Sequence, residues 1–209
     1  MKKFSGHKEN WGEFVDVKIN APILLEKEIK IKRRGKVWIS GVCDPYQPVE
    51  AKKKLTRRCL EILIQNNWPM SIQTKSELIL RDIDLIRSGQ DVEVGLTITT
   101  GDDKVRQFFE PKVTPIAERV TVLEQLHNAG IKTFAMIAPL LPGAEKLVTI
   151  LNGRVGYIII DKMNYHYSDW VYRKFGLSSA KSRFFMTQLC KELATGFQKQ
   201  GLNCQILFE

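Results

Sequence analysis

The side chains able to do chemistry gather where apolar runs end. Val37 to Val42 is such a run, and it leads straight into Cys43, Asp44 and Tyr46. Thr74, Lys75 and Ser76 close a second run, Met70 to Thr74. Thr97, Thr99 and Thr100 close a third, Val92 to Thr99. Ala138 and Pro139 end a fourth, Ile131 to Ala138. Asp161, Lys162, Asn164, Tyr165 and His166 follow a fifth, Val155 to Ile160. In folds built on parallel strands, residues just past the strand ends line the working pocket. Read as a ring, these positions hold a thiol, carboxylates and ammonium groups. A lysine can pair with a ligand carboxylate and an aspartate with a ligand amine, so the ring suits a polar zwitterion.

Each position also has a plainer explanation. Lys75 can be a solvated lysine beside a helix-capping Ser76. Thr97 and Thr99 are good strand formers and can serve only the ladder. Asp44-Pro45 can be a simple turn, and Cys43 can be a small packed hydrophobe. His166 stands between tyrosines without a partner at metal-ligand spacing, and His7 and His127 offer less. No Ser-His-Asp order, phosphate-binding glycine loop or His-Glu-x-x-His helix occurs.

The elements that must position this ring alternate. Ala21 to Lys32, Val49 to Asn66, Leu78 to Ile86, a segment from Thr114-Pro115 to Gly130, and Ser179 to Lys199 carry helical spacing. Thr114 offers an N-cap, Pro115 a first helical residue and Glu118 a first-turn carboxylate. Between them lie Lys36 to Val42 and the other runs above, with Cys204 to Phe208 as a terminal strand. Short connections and continuous apolar strands argue for a parallel sheet with helices outside, either open and doubly wound or a partial barrel. The weakly periodic stretch from Asp161 to Gly176 is expected to drape over the top or side. With no low-complexity segment or linker, residues 1–209 read as one domain.

Of the 209 residues, 44% are hydrophobic and 26% charged, which suits a globular protein. No apolar run nears the roughly 20 residues that span a bilayer, and Met1 to His7 lack the apolar core of a signal peptide. A cytoplasmic protein is the expectation. The net charge is +9, with clusters at Lys27 to Lys36 and Lys52 to Arg58. That charge admits a nucleic-acid partner. Cys43, Cys59, Cys190 and Cys204 are scattered, with no Cys-x-x-Cys pair.

Gly41 to Glu50 continuing to Leu60 resembles the strand and helix after the iron–sulfur loop of radical S-adenosylmethionine (SAM) proteins of the DNA-repair-photolyase type, relatives of spore photoproduct lyase. The resemblance extends through Gln73-Thr74-Lys75-Ser76, Leu80 to Leu85, Gly95 to Thr100, Phe109-Glu110-Pro111, Pro115 to Arg119 and Ala138 to Gly143. It implies a partial barrel of parallel strands, with SAM across the top chelating a 4Fe–4S cluster and yielding a 5′-deoxyadenosyl radical. By that resemblance Lys75 approaches the methionine carboxylate of SAM and Thr97 the same end, Ala138 beside Pro139 borders the adenine, and Asp44, Ser76 and Thr99 belong to the cofactor-binding set. Cys43 falls where the lyases carry a hydrogen-donor cysteine. A weak S–H bond suits that role. The Cys-x-x-x-Cys-x-x-Cys loop that would hold the cluster does not occur. The expectation is therefore a chain that starts after this loop, lacks the first strand, and is inactive as it stands. The resemblance implies DNA photoproducts as substrate. A non-catalytic remnant and a basic nucleic-acid-binding module are the alternatives.

Overall fold

The computed structural model describes residues 6–9, 12–39, 43–163 and 166–208. Its centre is one sheet of six parallel strands in sequential order. They are β1 (Val37–Ile39), β2 (Met70–Thr74), β3 (Val92–Thr97), β4 (Lys132–Ile137), β5 (Tyr157–Ile160) and β6 (Asn203–Ile206). Among the described residues each pairs only with its neighbours in this order, so the sheet is open, as in a partial barrel rather than a closed one. The end of the expected first run, residues 40–42, lies outside the described residues.

Period-two alternation gives the sheet two different faces. Met70, Ile72, Val94, Leu96, Ala135, Ile137, Ile158 and Ile160 enter the main core. The helices α3 (Leu55–Gln65), α6 (Ile116–Asn128) and α9 (Arg183–Lys199) add Leu60, Leu63, Leu123, Leu126, Leu193 and Phe197 to it. On the other face Phe134, Met136 and Ile159 form a smaller apolar layer. Gly95 makes room for it: a Cβ there would stand 2.1 Å from the Phe134 ring.

Several helices differ from the sequence reading. The first, α1 (Ala21–Glu28), stops short of Lys32. The expected helix from Val49 to Asn66 is broken into α2 (Glu50–Lys53) and α3 by Lys54, whose φ of 50° is left-handed. The cause is Glu50, whose carboxylate accepts from Leu55 N (2.8 Å) and Arg57 N (3.3 Å) and so caps the restarted helix. The segment after β2 is a 3₁₀ helix, Glu77–Asp82, before α4 (Ile83–Ser88). Pro115 is the N-cap of α6, one residue later than the Thr114 cap expected. Three short helices carried too few turns to show a period: α5 (Asp103–Phe109), α7 (Leu147–Ile150) and α8 (Asp169–Lys174). The last of these lies within the weakly periodic stretch from Asp161 to Gly176.

Candidate functional site

Because all strands are parallel, Thr74, Thr97, Ile137 and Ile160 end on one edge of the sheet. Backbone bonds lace the segments beyond that edge: Leu140 N donates to Asp161 O (2.9 Å) and Leu141 N to Thr99 O (3.1 Å). Lys75, Thr97, Thr99, Ala138, Pro139 and Asp161 therefore share this rim.

The loop carrying Cys43 is held against the same rim by Asp44. Asp44 Oδ1 accepts from Tyr46 N (2.8 Å) and Thr74 Oγ1 (2.6 Å), and Oδ2 accepts from Lys75 N (2.8 Å). Both oxygens are thus engaged by the protein's own donors. Tyr46 is buried and donates its hydroxyl to Asp82 Oδ2 (3.1 Å). Burial, then the Asp82 charge, push the phenol well above its ordinary range. Asp82 also accepts from Arg57 (2.8 Å) and Arg81 (2.7 Å), and Arg81 reaches Glu50 (3.0 Å). Cys43 itself is exposed, not packed in the core.

Lys75 is half-buried and extends to Glu110, with Nζ 2.7 Å from Oε1. Arg119 approaches from α6, with Nη2 2.8 Å from Glu110 Oε2. These ion pairs lack hydrogen-bond alignment, so both Glu110 oxygens and Arg119 Nη2 are buried without an aligned hydrogen-bond partner. Arg119 is anchored by Nη1 donating to Thr97 O (3.0 Å) and Nε to Thr114 O (2.7 Å). Burial works against ionisation of Glu110, but Lys75 and Arg119 outweigh it and hold the carboxyl below its usual value.

The other positions are more local. Thr97 Oγ1 accepts from Gln73 Nε2 (2.9 Å). Ser76 caps the 3₁₀ helix through Leu78 N (3.2 Å). Thr99 is buried, and Thr100 donates its hydroxyl to Pro142 O (2.6 Å). Ala138 and Pro139 are half-buried and joined by a cis peptide bond. His166 is exposed and 3.4 Å from Asp169. Asn164 and Tyr165 lie outside the described residues.

Glu110 and Arg119 had no site role in the sequence reading. One signal was available: Arg119 sits within the apolar stripe Ile116, Val120, Leu123 of α6, where a charge needs a buried partner.

The sequence model of the radical SAM superfamily matches residues 5–146, more than half of the chain. The chain belongs to the radical SAM superfamily. An uncharacterized protein of Methanocaldococcus jannaschii is 41% identical over 133 residues, 63% of this chain and 49% of its own length. An uncharacterized protein of Mycobacterium tuberculosis is 29% identical over 133 residues, 61% of this chain and 39% of its own. The chain thus spans half or less of the length of these curated relatives. Among solved structures, spore photoproduct lyase complexed with dinucleoside spore photoproduct aligns over 93% of this chain and 67% of its own, with TM-score 0.67 and 13% identity. SuiB of Streptococcus suis bound to S-adenosylmethionine aligns over 92% and 42%, with TM-score 0.59 and 11% identity. At such identities the likeness is one of fold.

Membership implies SAM and a 4Fe–4S cluster. Among the described residues no group of three or more His, Cys, Asp or Glu side chains could hold a metal ion, so these residues do not fit the cluster. They fit SAM better. The rim offers the half-exposed ammonium of Lys75, held by buried Glu110, and the strand-end backbone around Thr97 and Ala138, a cation and polar groups that a zwitterion can meet. No described helix is long and apolar enough to cross a membrane.

Proposed function

We propose that this chain binds SAM across the carboxyl rim of its sheet and serves radical SAM chemistry of the photoproduct-lyase type on DNA. The observation that carries the reading is the Lys75–Glu110–Arg119 cluster at the rim. Lys75 Nζ has three N–H donors, and its exposed side can meet the methionine carboxylate while Glu110 keeps the other side. Thr97 and Thr99 border that end through the backbone and Ala138–Pro139 borders the adenine. Asp44 and Ser76 act from behind, fixing the Lys75 backbone and the turn after it. When bound, SAM supplies the adenosyl carbon used by this superfamily for hydrogen abstraction. No iron step is assigned to the described residues.

Cys43 is assigned as hydrogen-atom donor to a carbon-centred substrate radical. One hydrogen atom leaves sulfur and forms the C–H bond, and the unpaired electron stays on sulfur. Its exposure on a loop fixed to the rim supports this. DNA as substrate class is supported by the fold shared with spore photoproduct lyase and by the net charge of +9.

Calorimetric titration of the 209-residue chain with SAM tests the reading. The wild type should bind, and Lys75→Ala should weaken binding by about one to two orders of magnitude, as for loss of a charge-assisted hydrogen bond. Cys43→Ala should leave affinity unchanged. Glu110 remains paired with Arg119 in Lys75→Ala, so the variant should fold. No binding by the wild type, or unchanged affinity in Lys75→Ala, overturns the proposed site.

A further inference from the structure

Tyr172 and Phe175 fix α8 to the rim. Phe175 stacks on Phe108 with centroids 3.8 Å apart, and Tyr172 meets Phe109 edge-on at 4.7 Å. Both phenylalanines belong to α5, which follows β3. Tyr172 also packs with Leu141 and Met163, next to the ends of β4 and β5. With Val171 and Tyr172 buried, the opposite side of α8 faces outward and carries Trp170, Arg173 and Lys174. Positions i, i+3 and i+4 share one helix face. The Asp169–Lys181 ion pair, 2.5 Å, ties α8 to the segment leading into α9. There Arg183 and Phe184 are exposed.

Trp170 is 57% and Phe184 78% exposed. Exposed rings flanked by cations present faces on which unpaired bases can stack. Between residues 166 and 184 the one carboxylate is Asp169, already neutralised by Lys181. We infer that the surface of α8 and the first turn of α9 binds single-stranded nucleic acid. Unpaired bases stack on Trp170 and Phe184, and Arg173, Lys174 and Arg183 meet the phosphates. A membrane surface would instead call for a continuous apolar helix face, whereas the apolar residues of α8 point inward and leave isolated rings. The inference needs neither SAM nor iron, and it shares with the function proposed above only nucleic acid as partner class.

Fluorescence anisotropy of the 209-residue chain with a labelled oligothymidylate tests it, with a duplex and anionic phosphatidylglycerol vesicles as comparisons. Single strands should bind more tightly than duplex. Trp170→Ala with Phe184→Ala should weaken the single-strand affinity by about tenfold or more, and Trp170→Phe should retain most of it. Arg173→Gln with Arg183→Gln should lower the slope of log affinity against log salt by roughly one to two. Both ring positions are exposed, so circular dichroism should be unchanged. Equal affinity in the ring variant, preference for duplex, or binding to vesicles but not to the oligonucleotide would each overturn the inference. Duplex binding insensitive to the ring variants leaves the DNA reading standing. Failure to bind SAM, with these results intact, removes the reaction and leaves the surface.

Discussion

Glu110 holds two cations on one buried carboxylate, and it is the residue on which the rim depends. Arg119 is 1% exposed, so removing its counter-charge strands a guanidinium in the interior. Breaking a buried pair in this way typically costs about 3–5 kcal/mol. Glu110→Ala should therefore destabilise the chain by about that amount in urea unfolding. Lys75→Ala should cost about 1 kcal/mol, since a half-exposed ammonium loses mostly screened Coulomb energy. Equal losses in the two variants would mean the Arg119 contact is not the dominant one. Asp44 presents a different case. Its carboxylate gathers three donors from two segments, and hydrogen bonds to charged groups are worth about 1.5–3 kcal/mol each. Asp44→Ala should destabilise by about 2–3 kcal/mol, allowing for water reaching the half-buried donors. It should also raise the alkylation rate of Cys43 by releasing its loop. An unchanged alkylation rate would show that the loop is held by other contacts.

At the scale of elements, Glu93 fastens the amino ends of the strands. Lys36, just before β1, lies 2.5 Å from Oε1, and Lys132, opening β4, lies 3.0 Å from Oε2. Burial opposes ionisation, but Lys36, Lys132 and the Ser71 hydroxyl outweigh it and hold Glu93 at about 2, against an ordinary 4.5. A folded value below the unfolded one means the contribution is complete above about pH 4.5. It is lost as pH falls towards 2. Glu93→Gln should thus lower stability at neutral pH and flatten the acid limb of the unfolding profile across that window. An identical acid limb would exclude Glu93 as its source. The strands flanking Glu93 were legible because parallel strands buried on both faces leave continuous apolar runs. The break at Lys54 was not, because no glycine or proline marks it and a side chain from the preceding turn enforces it. The rim positions Lys75, Thr97 and Ala138 were legible from strand ends. The Glu110–Arg119 contact was hidden because it joins two elements that only the fold brings together.

For the molecule as a whole, the placement of its thiols bears most directly on what the 209-residue chain can do alone. A 4Fe–4S cluster takes three or four thiolates converging on one point. Here Cys43 lies on the rim loop, Cys59 on α3, Cys190 on α9 and Cys204 on β6. Burial pushes the Cys59 and Cys190 thiols up, and burial followed by the neighbouring Cys190 takes Cys204 to about 11. Thiols raised in this way resist the deprotonation that iron binding demands. Cys43 is exposed, but a single thiolate cannot hold the cluster. Anaerobic incubation of the 209-residue chain with iron and sulfide should therefore yield no stoichiometric four-iron cluster. Iron counting and visible absorbance after desalting measure this directly. SAM affinity should be the same before and after the incubation, because the rim cluster of Lys75, Glu110 and Arg119 is complete without iron. A stoichiometric cluster would show that thiols from separate elements can be drawn together. That requires α3, α9 or β6 to leave the core in which Leu60, Leu193 and Phe197 are fully buried.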